Sequence, residues 1–131
     1  MRVLLIDDDF ISIFLTKKLL QQEGVADSIT CFRSSQDALD CVRQMLPEQM
    51  PDIIFLDLNM PVMSGWDFLE ALKAEEQKFI GRCRIYILTS SLAPCDTARS
   101  KEFNLVAGLI HKPLDVMEIQ AIRSYLVESS R

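Results

Sequence analysis

The hydrophobic pattern of this chain switches period repeatedly. Residues 2–6 form a short apolar run that stops at Asp7, as a strand buried on both faces would. Over about residues 9–23 the spacing becomes helical, with Ser12, Leu15, Thr16, Leu19 and Leu20 on the predicted inner stripe and Gly24 placed to cap the end. Residues 28–32 alternate briefly as a strand does. A second helix is predicted from residue 35 to about 46, N-capped by Ser34 or Ser35. Pro47 and Pro51 bracket a loop, and residues 53–56 repeat the buried-strand pattern, ending again on an aspartate, Asp57. Turn formers fill residues 58–65. Beyond them the pattern predicts a helix from Trp66 to about Glu76 and a strand over residues 84–88. A fourth helix should start at Pro94, which a first turn tolerates, and end near Phe103. A fifth strand (106–110) and an amphipathic last helix (115–128) complete the chain. Strands alternating with helices five times imply a parallel sheet covered on both faces, one α/β domain over residues 1–131.

Composition narrows the function. With 131 residues, 49% apolar and 25% charged, the chain has the make-up of one folded domain rather than a disordered segment. Fourteen Lys and Arg against 19 Asp and Glu give a net charge of −5, which argues against nucleic acid as a partner. The apolar runs are too short to span a membrane, and no secretory segment opens the chain, so a cytoplasmic location is expected. Cys31, Cys41, Cys83 and Cys95 lack metal-ligand spacing and are expected to be buried or semi-buried thiols. Gly24, Gly65, Gly81 and Gly108 are isolated, so no glycine-rich phosphate loop exists for a nucleotide or flavin; Gly65 is expected to serve the turn into the third helix.

In sheets of this kind ligands bind beyond the carboxyl ends of the strands. Those ends carry Asp7, Asp8 and Asp9, then Asp57, then Thr89, Ser90 and Ser91, then His111, Lys112 and Pro113; the second strand ends less tellingly, in Arg33 and Ser34. One strand-end aspartate is commonly just a helix N-cap. Several acids with a Thr and a Lys on one edge suggest a site where something positive and something negative meet. Crowded carboxylates are costly to keep ionised without a cation, and magnesium takes one or two carboxylates plus a phosphate oxygen. Lys112 can offset phosphate charge, while Thr89 and the backbone N–H of Ser90 can donate to an oxygen.

Four segments together carry a specific resemblance: Leu5-Ile-Asp-Asp-Asp9, Phe55-Leu-Asp-Leu-Asn-Met-Pro-Val-Met-Ser-Gly65, Ile87-Leu-Thr-Ser-Ser91 and His111-Lys-Pro113. In their order and spacing the chain resembles, over essentially its whole length, a receiver domain of the bacterial two-component response-regulator family. That resemblance implies a flavodoxin-like (βα)5 fold with strand order 2-1-3-4-5. It implies a phosphoprotein in which Asp57 accepts a phosphoryl group, with Mg2+, from a sensor histidine kinase or histidine phosphotransfer protein. Asp8 matches the direct metal ligand, Asp7 the acid reaching the metal through water, and Asn59 the position whose backbone carbonyl completes the metal's shell, with Asp57 itself among the metal's ligands. Lys112 matches the phosphate-contacting lysine, followed by a cis Pro113, and Thr89, with Ser90 beside it, the switch hydroxyl. Phosphotransfer and dephosphorylation would be self-catalysed, so the protein would not be an enzyme in the usual sense. Phosphorylation would shift a pre-existing equilibrium at the fourth strand, fourth helix and fifth strand. With no output domain, the signal would leave by contact with an effector protein, without nucleic acid or membrane. Asp9 falls outside this set and is expected to cap the first helix.

The chain departs from the family in places. The switch-aromatic position, commonly Tyr or Phe, is Leu109, so the usual aromatic rotamer account does not transfer unchanged; Asn59 and Ser91 stand where the family tunes hydrolysis of the aspartyl phosphate. His111 should point away from Lys112 and be structural or superficial, and Trp66 is either semi-buried on its helix or a partner contact. On the first helix Phe10, Ile11 and Phe14 lie nearly opposite the inner stripe. Exposed apolar groups beside an acidic pocket suggest a docking face for a helical, histidine-bearing partner. Asp7-x-Asp9 with a later Thr and Lys also sketches a haloacid-dehalogenase-like phosphatase, but that chemistry needs a second acidic pair beyond the lysine, which the sequence lacks. A pseudo-receiver that is never phosphorylated would not need the complete set of Asp7, Asp8, Asp57, Thr89 and Lys112.

Overall fold

The computed structural model describes residues 1–90 and 93–129. Five strands, β1 (Arg2–Ile6), β2 (Ser28–Phe32), β3 (Ile53–Asp57), β4 (Arg84–Thr89) and β5 (Val106–His111), form one sheet in the order β2-β1-β3-β4-β5. Every neighbouring pair is parallel. Both the α/β class and the strand order match the expectation. The helices are α1 (Phe10–Gln22), α2 (Ser35–Gln44), α3 (Gly65–Lys73), α4 (Glu76–Phe79), α5 (Pro94–Ser100) and α6 (Val116–Ser129). Among the described residues no helix is long and apolar enough to cross a membrane.

Strand alternation builds two cores. Leu4, Ile6, Ile54, Leu56, Ile85 and Ile87 pack with Ala38, Leu39, Phe68 and Leu72 of α2 and α3. Their sequence neighbours Val3, Leu5, Ile53, Phe55, Tyr86 and Leu88 face Ile13, Leu20, Ile119 and Ile122 of α1 and α6. β1 beyond Arg2, and all of β3, are buried on both faces, which is why their sequences read as unbroken apolar runs. β2 and β5 lie at the edges and are only partly covered.

Several boundaries differ from the sequence expectation, each for a local reason. On α1 the buried residues are Ile13, Thr16 and Leu20; Leu15, expected on the inner stripe, is 56% exposed, so the inner face is rotated towards Ile13. α2 stops at Gln44 rather than Leu46, because Pro47 holds Leu46 in an extended conformation and Met45 is extended too. The predicted third helix breaks after Lys73: Glu75 turns back on Leu72 with a bond from its N–H to the Leu72 carbonyl (2.9 Å), and α4 begins anew. α5 ends at Ser100, where Lys101, Glu102 and Phe103 close successive three-residue turns onto Ala98, Arg99 and Ser100. The cysteine expectation is also corrected: Cys83 is buried and Cys31 and Cys41 half-buried, but Cys95 is exposed on α5, whose only buried residue is Ser100.

Gly24 ends α1 as expected and shows why glycine stands there. At φ 64° it lets its own N–H reach Gln21 O and the Val25 N–H reach Leu20 O, the paired bonds of a Schellman turn. A Cβ at Gly24 would meet nothing within 4 Å, so the requirement is conformational alone. Gly24→Ala is therefore expected to lower unfolding free energy by about 1 kcal/mol in urea denaturation, without altering the native fold.

Candidate functional site

The carboxyl end of the sheet brings the strand-end residues together. Asp7 leaves β1 almost fully buried, its N–H bonded to Phe32 O at 3.0 Å so that the strand end is held against β2. One Asp7 carboxylate oxygen accepts the Asp9 N–H (3.0 Å) and the other accepts the Lys112 ammonium (2.7 Å). Asp57, at the end of β3, is 7% exposed, and its Oδ1 lies 3.5 Å from Lys112 Nζ. Half-buried Asp8 completes the acidic group: Asp7, Asp8 and Asp57 each offer an oxygen, all within 4.8 Å of one another. Lys112 reaches this point from β5 after its N–H bonds Thr89 O at 2.8 Å, and its peptide to Pro113 is cis, as the resemblance implied.

The remaining expected positions differ in burial. Thr89 is fully buried at the end of β4, while Ser90 and Asn59 are exposed. Ser91 lies outside the described residues. Asp9 caps α1 by accepting the Ile11 N–H at 3.0 Å, the role expected for it. Leu109 is half-buried against the core beneath α2 and α3. His111 is exposed, and Trp66 is half-buried on α3. Phe10, Ile11 and Phe14 are 66%, 67% and 58% exposed, an apolar surface next to the acids that also includes Leu15.

Two features of the site escape sequence reading. Gly65 opens α3 and donates its N–H to Leu58 O at 2.9 Å; a Cβ there would lie 2.4 Å from the Asp57 carbonyl oxygen. Only glycine lets α3 press on the backbone that carries Asp57, a requirement no local pattern reveals. Arg33, dismissed as an uninformative strand end, places its guanidinium 5.8 Å from the Phe10 ring and donates to the Asp8 carbonyl at 3.4 Å. Between Asn59 and Gly65 the chain passes through Val62 at φ 69°, closed by a bond from Met63 N–H to Pro61 O, a tight turn that β-branched residues rarely adopt.

Electrostatics explain what the acids need. Burial, reinforced by the negative charges of Asp7 and Asp8 and opposed by Lys112, pushes the Asp57 carboxyl up to about 6. Burial works against the Lys112 ammonium, but its bond to Asp7 and the charges of Asp57 and Asp7 outweigh it and hold its pKa above the ordinary value. One ammonium cannot neutralise three carboxylates. Hard oxygen donors clustered at this distance suit a divalent cation such as magnesium, so the donor set fits a metal site.

An acid whose pKa is higher in the folded than in the unfolded chain binds its proton more tightly when folded. Without divalent metal, stability contributed by Asp57 is therefore lost as pH rises through about 6 and regained as pH falls towards the ordinary 3.8. Between pH 7.5 and 5, wild type should gain roughly 1 kcal/mol relative to Asp57→Asn in chelator-treated denaturation experiments. Parallel pH curves for the two proteins would contradict this.

A profile of the response regulator receiver domain family matches residues 3–123. The chain is 29% identical over 125 residues to the polar-differentiation response regulator DivK of Brucella ovis, covering 95% of this chain and 94% of that protein. It is 32% identical over 123 residues to hybrid signal transduction histidine kinase L of Dictyostelium discoideum, which includes 92% of this chain but only 7% of the kinase. Among solved structures, a two component response regulator from Cytophaga hutchinsonii superposes with a TM-score of 0.90 at 27% identity, over 97% of this chain and 96% of that one. With the fold, the acidic centre and these likenesses in agreement, the chain belongs to the response regulator receiver domain family of two-component signalling, and is a signalling module rather than a conventional enzyme.

Proposed function

We propose that Asp57 is the phosphoacceptor of this receiver and takes its phosphoryl group, with magnesium, from a phosphohistidine on a sensor kinase or histidine phosphotransfer protein. The observation that carries the reading is the placement of Asp57: nearly buried, open at the rim, 3.5 Å from Lys112 and grouped with Asp7 and Asp8. An Asp57 carboxylate oxygen would attack the phosphorus, and the phosphorus–nitrogen bond would break with its electron pair going to that nitrogen; the phosphohistidine, already protonated on its other ring nitrogen, would so leave as neutral imidazole. Asp8 and Asp57 would ligate the cation directly, with the Asn59 carbonyl, and Asp7 would reach it through water. Magnesium, when bound, would neutralise charge on the carboxylates and on the phosphoryl oxygens. Lys112 would exchange part of its bond to Asp7 for a phosphoryl oxygen. The Thr89 hydroxyl and Ser90 N–H would donate to another, so that this chain's contribution is positioning and charge stabilisation.

The exposed Phe10, Ile11 and Phe14 would receive the helical donor, since they follow Asp7 and Asp8 closely in the chain and, among the described residues, join neither buried core. Likeness to DivK, a response regulator matched over 94% of its length, supports a receiver that signals through contact with an effector protein.

Two experiments test these roles. Asp57→Asn should take up no label from acetyl phosphate and magnesium under conditions that label wild type; continued labelling would overturn the assignment. Phe14→Ser should slow transfer from a phosphohistidine protein that phosphorylates wild type by roughly tenfold, as loss of an aromatic anchor does, while labelling by acetyl phosphate stays unchanged. Equal slowing with both donors would place the defect in the site instead of the docking face.

A further inference from the structure

The single tryptophan joins the acidic centre to the helix that follows β4. Trp66 comes directly after Gly65, whose backbone is pressed on the Asp57 carbonyl, so the start of α3 is fixed to the site. Its indole stacks on Phe103 at 6.0 Å and 24°, and the Arg99 guanidinium of α5 lies 4.6 Å from the indole centre. Lys73 at 5.4 Å from the Phe103 ring extends the cluster.

α5 is otherwise lightly held. It has seven residues, of which only Ser100 is buried. Towards β5 it leaves a cavity of about 230 Å³ lined by Thr97, Ser100, Lys101, Val106, Gly108 and Leu109. Where family members commonly place a large aromatic ring, this chain has Leu109 beside open space, so α5 has room to move on that side. Among the described residues, α3 meets α5 itself through the Arg99–Trp66 ion–aromatic pair, and the turn that follows α5 through the Trp66–Phe103 stack.

We infer that the Arg99–Trp66 contact is an autoinhibitory latch, which holds α5 in its unphosphorylated position and opens when Asp57 is phosphorylated. This rests on the reading of Asp57 as phosphoacceptor. Movement of Thr89 towards the phosphoryl group would displace the end of β4, the strand that α5 follows in the chain, whereas Trp66 stays with α3 on the Asp57 backbone. Displacement of α5 therefore separates the pair. A contact made in only one of two states biases their equilibrium by its own worth, which for an exposed cation–π pair corresponds to roughly two- to fivefold.

The test is calorimetric titration with beryllofluoride, a mimic of the phosphoryl group, at fixed magnesium. Arg99→Ala should lower the half-saturating concentration by roughly two- to fivefold. Trp66→Leu should do the same, and the double variant should gain no more than either. An unchanged or raised value for Arg99→Ala overturns the latch, as does an additive gain in the double variant. Because Arg99 is exposed, that variant decides the matter alone if Trp66→Leu does not fold. Asp57→Asn must not bind beryllofluoride; binding by it would overturn the reading of the site, independently of the latch.

Discussion

Three carboxylates on one sheet edge repel one another, and in this molecule a single lysine from the far side of the sheet holds them there. Lys112 leaves β5, an edge strand, and its ammonium bonds Asp7 on β1 while lying within ion-pair distance of Asp57 on β3. The pair is 105 residues apart in sequence and joined across β1, β3, β4 and β5, so the centre depends on the register of those four strands. The compensation is incomplete, and Asp57 remains a reluctant anion in a nearly buried position. Burying that charge costs local stability, as charged groups at functional sites commonly do.

Much of this was legible because central strands of a parallel sheet advertise themselves. The runs at 2–6 and 53–56 are apolar at every position because they are covered twice, and the polar residues that stop them mark the functional edge. The same logic located Thr89 and Lys112. What sequence could not supply was distance. That Asp7 bonds Lys112, that Gly65 touches the Asp57 backbone, and that Arg33 lies over Phe10 are all consequences of tertiary packing between elements remote in the chain. Helix periodicity failed on α1 for a related reason. With apolar residues on most sides, the pattern does not choose a face, and α1 turned Ile13 inwards and left Leu15 outside.

Rigidity is distributed unevenly, in a way that suits a switch. The strands ending in Asp7 and Asp57 are sealed between two cores and α3 is clamped on them, whereas α5 sits over a cavity with little buried surface. Under the proposed function, a chemical event at the stiff edge would be read out at the soft one without disturbing the sheet. The exposed apolar residues Phe10, Ile11, Phe14 and Leu15 lie on α1, so the proposed docking face and the proposed responding helix would be separate elements.

The most direct measurement is a calorimetric titration of the folded protein with magnesium chloride, in wild type and in Asp8→Asn. One saturable cation per chain in wild type, lost or strongly weakened in the variant, is the expected result. A wild-type protein that takes up no magnesium, or a variant that binds it equally well, would contradict the idea that these acids are gathered to hold a metal beside Asp57.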